Sequence, residues 1–540
     1  MCRRVGTVRW LIAATGALFL AAPVGAETAK LELKRLEARA QFVLGADFFV
    51  RASQPQAHFT QLGLKGRQPG TQDFAKLIRK EPKYEAAEPI RGVFQLGGQK
   101  FCFALDAVPS KQPEERPKDK APGQDAKPDD PQPGKSTAGA APTVTPYNRL
   151  YFDCNHNGDL TDDPPVDGKP PAIPGYPRQY ALVVFPAVEV KLQVEGSDYA
   201  YAFFVQSTSY VSAEFRYVQV SLEPAVYRHG TITLDGRPRE VYLTDFNSNG
   251  RFDDVPEVTT VKLSGGESRL MIQYGDMLMF GSPPSLLSPG VSPFDVTTTE
   301  GRHLVSKLLC LDQKFYEVKV SSSGDTLTLT ATKLPMGRLR SPHPRFQALL
   351  HGDLGVVKVV GSENEIPMPA GQWRLASYTL DLTAQREKAL AAARAGEKQA
   401  GKPAPTKEGQ PPSEKKAAKT AEGSVLSLLA RSLVGAAVPQ SPLRRGGPTI
   451  VSATMPSEAA AVTVRAGEAA ALYFGPPYKP VVNIDYASTD RVQLGMSLVG
   501  SAGERCTNLL VDGTRPATKP EFTIRDPQGK VVQQGAFEYG

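Results

Sequence analysis

Two short runs of strand-forming residues, Leu150-Tyr151-Phe152 and Val241-Tyr242-Leu243, break off into the same order of turn-forming, oxygen-bearing residues. The first continues as Asp153-Cys154-Asn155-His156-Asn157-Gly158-Asp159-Leu160-Thr161-Asp162-Asp163. The second continues, after Thr244, as Asp245-Phe246-Asn247-Ser248-Asn249-Gly250-Arg251-Phe252-Asp253-Asp254. Both read Asp-x-Asn-x-Asn-Gly-x-apolar-x-Asp. Aromatic and β-branched runs favour strands, and Asp, Asn and Gly favour tight turns. The chain is therefore constrained to β structure in which two strands end in the same curled loop. Turn preference accounts for either loop alone; it does not account for two copies agreeing at six positions.

The loops resemble the calcium loops of EF-hand and dockerin proteins, over about a dozen residues each. The resemblance implies oxygen ligands at positions 1, 3 and 5, with Gly at position 6 making the sharp turn that lets position 7 offer its carbonyl. Carried over, it makes ligands of Asp153, Asn155, Asn157 and the Asp159 carbonyl, and of Asp245, Asn247, Asn249 and the Arg251 carbonyl. The EF-hand closes with a bidentate Glu where this chain has Pro164 and Pro256. The closing carboxylate is then expected from Asp162 or Asp163, and from Asp253, Asp254 or Glu257. Because strands flank the loops, calcium is expected as a structural clamp and not as the trigger of a sensor. Its affinity is expected on the order of 10⁻⁴ to 10⁻³ M. His156 reads as a solvent-facing spacer.

The amino terminus sets the expected compartment. Arg3, Arg4 and Arg9 precede an apolar run over 10–22, and Val24-Gly25-Ala26 supplies small residues of the kind a signal peptidase inspects. This predicts a signal peptide over 1–26 and a secreted, extracytoplasmic chain. No later run reaches the length of a spanning helix, so no membrane span is expected. Without Cys2, the cysteines Cys102, Cys154, Cys310 and Cys506 remain, an even number that permits three pairings or four buried thiols. Cys102 with Cys154, in segments that read as neighbouring strands, is the favoured pair. With no Cys-x-x-Cys, neither zinc nor redox chemistry is expected.

The net charge of +7 is not spread over a folded surface. Three charges lie in the signal, and residues 385–423 carry nine basic and five acidic groups. What remains is neutral, so no nucleic-acid partner is expected. Two stretches are too poor in large apolar side chains to offset their ordering entropy and are expected as disordered linkers. One is 107–146, rich in Pro, Lys, Asp and Gly; the other is 385–448, Ala-rich and helical at 387–400 and then rich in Lys and Pro.

Around these stretches the pattern is β. Strands are expected at 180–185 and 199–206, a hairpin over 230–245 turning at Asp235-Gly236, and another over 318–330 turning at Ser323-Gly324-Asp325. A faint repeat relates Arg91-Gly92-Val93-Phe94-Gln95-Leu96-Gly97-Gly98 to His229-Gly230-Thr231-Ile232-Thr233-Leu234-Asp235-Gly236, and it places the first insert at a hairpin tip. The expected fold class is mainly β: multidomain β-sandwich or open-barrel units with two disordered linkers. A β-rich region over 27–106 and 147–265 carries both loops, a second spans 266–384, and 449–540 forms a C-terminal Ig-like or transthyretin-like sandwich. The mature chain is similar to large uncharacterised secreted bacterial β-rich proteins, a likeness that implies no activity.

Catalytic patterns are missing: there is no Gly-x-Ser-x-Gly elbow, His-Glu-x-x-His or P-loop. His58, His229, His303, His343 and His351 do not cluster, and Trp373 reads as a core residue. The function expected is that of a secreted calcium-binding β protein with a structural or binding role at the cell envelope, its partner an envelope or extracellular protein or polysaccharide. The alternative is an extracytoplasmic glycosidase or peptidase with structural calcium.

Overall fold

The computed structural model describes residues 25–36, 56–62, 71–109, 144–171, 179–212, 215–262, 268–281, 296–298, 301–363, 365–400, 447–488, 492–514, 516 and 519–538. Most of the expected signal and most of both linkers lie outside the described residues.

Strand formation follows from alternation. In Val188–Val194 every second side chain is buried, from Val188 through Val190 and Leu192 to Val194. Four antiparallel sheets enclose the larger core. One orders Ala26–Lys30, Thr326–Ala331, Lys314–Val320 and Leu308–Leu311. A second orders Gln56–Leu62, Arg216–Pro224, Ser197–Val211 and Tyr180–Val184, with Val188–Val194 paired to the other half of the long strand. A third orders Arg302–Leu304, Met277–Phe280, Arg237–Thr244, Val226–Leu234 and Glu32–Arg35. The fourth orders Ile90–Leu96, Gln99–Asp106, Arg149–Phe152 and Val166–Asp167. Phe101, Phe103, Phe152, Phe203 and Phe252 fill the space between them, each contributing about 1.5–3 kcal/mol by leaving water.

The expected division at 265 is not a boundary. Met277–Phe280 pairs with Arg237–Thr244, and Thr326–Ala331 pairs with the first described strand. Nor does 449 begin a separate sandwich. Ile450–Thr454 pairs with Gly371–Asp381, and Arg505–Leu510, Val492–Val499 and Lys479–Ala487 extend that same sheet. Tyr378 and Leu380 from before the linker share a second core with Val451, Ala453 and Phe474 from after it. Strand pairing across hundreds of residues leaves no local trace in a sequence, so composition placed the boundaries and long-range pairing overrode them. The two cores meet around Phe246, Met277, Leu349 and Val356.

The insert expected at a hairpin tip does connect paired strands, since Gln99–Asp106 lies antiparallel to Arg149–Phe152. The Ala-rich piece forms the helix Thr383–Ala400, and Asp381 Oδ1 accepts the Thr383 N–H there (2.9 Å). All four described cysteines are free thiols. Cys102 and Cys154 are close in backbone, because Asp153 N donates to the Cys102 carbonyl (3.0 Å). Their side chains take different sides: Cys102 packs with Phe74, Ala104 and Tyr151, and Cys154 packs against the larger core. Among the described residues no helix is long and apolar enough to cross a membrane.

Candidate metal centre

Asp153 and Asp245 stand buried where Arg149–Phe152 and Arg237–Thr244 end. From there the two backbones run alike. The fourth residues, His156 and Ser248, have φ of 58° and 62°, and the sixth, Gly158 and Gly250, 78° and 79°. The hydrogen bonds repeat as well. Asp153 accepts the N–H groups of Asn157 (2.9 Å) and Gly158 (3.0 Å). Asp245 accepts those of Asn249 (3.1 Å) and Gly250 (2.7 Å). Asn157 Oδ1 takes the Asp159 N–H and Asn249 Oδ1 the Arg251 N–H, both at 2.8 Å. Each pair of amides then donates to one carboxylate. Asn155 and Asn157 reach Asp162 (3.4 and 2.6 Å), and Asn247 and Asn249 reach Asp254 (3.3 and 2.7 Å).

Of the expected closing carboxylates, Asp162 and Asp254 therefore converge and the others do not. Asp163 accepts the Cys154 N–H (3.0 Å). Asp253 is taken by Arg251 (3.0 Å) and Ser322 (2.6 Å), and Glu257 is exposed at the start of Glu257–Lys262. The Asp159 side chain faces Thr161 and Lys80, which hold its carboxyl down to about 2. His156 is exposed but is no mere spacer: Nε2 lies 2.9 Å from the Lys100 carbonyl and the ring packs on Phe101.

One site residue escaped the sequence reading. Asp276 Oδ1 accepts the Phe246 N–H (3.0 Å), and Oδ2 the Asp254 N–H (2.8 Å). It does for loop 2, from the connection just before Met277–Phe280, what Asp163 does within loop 1. The signal was Gly275, where a Cβ would stand 2.1 Å from the Asp254 carbonyl oxygen. Only glycine lets the two segments meet.

Loop 2 is also a junction of hairpin turns. Gly97 N donates to the Asn249 carbonyl (2.7 Å), Phe252 N to the Ser322 carbonyl (3.1 Å), and Arg251 reaches Glu195 (2.9 Å). From the long strand, Tyr199 donates to the Gly250 carbonyl and Tyr201 to Asp245 (2.6 Å). Loop 1 holds the segment after the helix Thr71–Leu77, through Arg79 N to the Gly158 carbonyl (2.8 Å) and Leu160 N to the Lys80 carbonyl (3.0 Å), besides the His156 contact with Lys100 and Phe101.

Three carboxyl groups at loop 2 have no ion-pair partner among the described residues. Its ion pairs join Arg251 to Glu195 and Asp253, and none among the described residues reaches Asp245, Asp254 or Asp276. Burial pushes the Asp245 carboxyl up to about 7 against the hydrogen bonds from Tyr201, Gly250 and Asn249. Burial, and then the charges of Asp245 and Asp254, raise Asp276 well above the usual carboxylate range. Asn247 Oδ1 is buried with no hydrogen-bond partner, an orphan acceptor of the kind a cation satisfies. Among the described residues no three His, Cys, Asp or Glu side chains are placed to hold a metal. A cation here must draw on amide and backbone oxygens as well as carboxylates, a donor set suited to calcium.

Two of the histidines are tied into the fold by hydrogen bonds. His58 pairs with Thr60 (3.1 Å) and His343 with the Phe474 carbonyl (2.9 Å). Trp373 is buried, its Nε1 donating to the Pro369 carbonyl (2.9 Å). No family model, curated protein or solved structure matches the chain.

Proposed function

We propose that this is an exported β protein with a structural or binding role at the cell envelope, in which calcium held by the two Asp-Asn-Gly loops rigidifies the strand ends. The observation that carries this reading is the double construction of one loop, with the same positive-φ residues and the same closure of two amides on one carboxylate. The buried Asn247 oxygen and the buried Asp245 and Asp276 carboxyls, which have no cation beside them among the described residues, support it. Asp153, Asn155, Asn157, Asp162 and the Asp159 carbonyl would hold one ion. Asp245, Asn247, Asn249, Asp254 and the Arg251 carbonyl would hold the other. Bound calcium supplies the positive charge that these carboxylates lack. In loop 2 this fastens three hairpin turns to one point. The signal-like residues 1–26 support export, and millimolar calcium outside cells suits weak sites.

The test is calorimetric titration of calcium into the chelated protein, beside a variant carrying Asp153→Ala and Asp245→Ala, with melting followed on both. One ion per loop is expected, with stabilisation of about 1.4 kcal/mol per site at tenfold excess over Kd, lost in the variant. No heat and no rise in melting temperature at millimolar calcium would reduce the loops to ion-free turns.

A further inference from the structure

The sheet of Gln56–Leu62, Arg216–Pro224, Ser197–Val211 and Tyr180–Val184 packs one face on the core: Val183, Val205, Val218, Val220 and Leu222 are fully enclosed. The other face turns outward, and pairing aligns its side chains in rows across four strands. One row holds Gln61, Tyr217, Tyr210 and Tyr180. Phe59, on the next row, meets Tyr217 at 4.8 Å with its ring tilted by 32°, Tyr217 lies 5.2 Å from Tyr210, and Tyr210 lies 4.7 Å from Tyr180. Phe215 closes against Tyr210 at 5.4 Å. Five rings thus form a continuous stripe perpendicular to the strands.

Cross-strand aromatic pairs stabilise sheets, and this accounts for Tyr180, Tyr210 and Tyr217, which sit in register. It does not account for Phe59 and Phe215, which rim the stripe at 52 % and 42 % exposure. The rest of the face is equally telling. Beside the rings stand Gln219, Thr208 and Gln206, and on the outward positions of these four strands charge is confined to Glu223 and Asp198, toward the end away from the stripe. A face whose four strands carry no cation on their outward positions offers nothing to nucleic-acid phosphates or anionic lipid, and it lacks the Arg that accompanies Tyr at protein hot spots. Rings for C–H surfaces, amides and hydroxyls for hydroxyls, and a linear repeat at the strand spacing match an extended chain of uncharged sugars.

We infer that this outward face binds a neutral polysaccharide. The inference rests on the reading of the chain as an envelope-binding protein and names its partner, but it does not depend on calcium.

The test is affinity electrophoresis of the mature chain in native gels cast with neutral glucan, xylan or galactomannan, beside an anionic polysaccharide and anionic vesicles. At least one neutral polymer should retard the protein. The exposed pair Phe59→Ala and Phe215→Ala should weaken that binding about tenfold without moving the melting temperature. Val492→Ser, exposed on the other sheet, should leave binding unchanged. The inference is overturned if no neutral polymer retards the protein, if the double variant binds as tightly as the parent, if Val492→Ser binds as weakly as that double variant, or if only the anionic polymer or vesicles retain it. Melting with and without calcium on the same samples reads the loops separately, so failure of the clamp and failure of sugar binding remain distinct results.

Discussion

Removing Asp276 should loosen loop 2 far more than its distance from the loop in sequence suggests. In Asp276→Ala the N–H groups of Phe246 and Asp254 lose their acceptors. Phe246 is buried and Asp254 half-buried, and an orphaned buried donor costs about 1–3 kcal/mol. Relief of repulsion with Asp245 and Asp254 works the other way, so the net loss is placed at about 2–4 kcal/mol. At about 2–4 °C per kcal/mol, melting should fall on the order of 5–15 °C. The comparison is Asp163→Ala, which orphans only the half-buried Cys154 N–H and should cost about 1 kcal/mol. Calorimetry with calcium chelated keeps the ion out of the difference, and hydrogen exchange across 245–254 should rise in Asp276→Ala alone. Equal losses in the two variants, or a shift of under about 1 °C for Asp276→Ala, would refute the view that this carboxylate anchors the loop.

Gly250→Ala should destabilise by about 2–5 kcal/mol, because its Cβ would stand 2.6 Å from Leu192 Cδ1 at a φ of 79°. Gly236→Ala, with open space at φ 73°, should cost about 1–2 kcal/mol; denaturant melts that rank the two alike would count against it. Burial holds His58 and His303 below the usual imidazole range, so these rings stay neutral in the fold and take up protons on unfolding. Their own contribution is full above about pH 6.5 and is lost as pH falls toward the folded values, while the raised Asp245 and Asp276 carboxyls add stability over the same fall. The histidine part is read as the change in melting temperature from about pH 7 to 5.5 in the parent minus that in His58→Gln, and a positive difference would contradict it. Burial raises Cys102, Cys154 and Cys310 to about 12 and Cys506 to about 11. Ellman's reagent should therefore react slowly with the native protein and release all four thiols in denaturant, whereas a disulfide would leave two unreactive.

What could be read in the residues was local. The Asp235-Gly236 turn joins the strands Val226–Leu234 and Arg237–Thr244, and the turn at Ser323-Gly324-Asp325 joins Lys314–Val320 to Thr326–Ala331. Each has its cause within a few positions, a residue able to take positive φ between alternating runs. The loops were legible for the same reason, down to the Asp-Asn-Asn-Gly positions, but the choice of Asp162 over Asp163 was not. Asp276 was not, because a carboxylate that caps another segment's amide looks like any surface acid until the fold brings them together. The domain boundaries failed likewise: a low-complexity insert interrupts the chain between 381 and 450 without interrupting the sheet.

Ala26–Lys30 lies against Thr326–Ala331, with the hydroxyls of Thr28 and Thr328 3.1 Å apart. The first strand to emerge during synthesis has no partner until three hundred more residues follow it. Closing so long a loop is slow, and the strands between cannot seal the larger core without it. Until Thr326–Ala331 arrives the first described strand stays unpaired, and that arrival acts as the latch on the larger core.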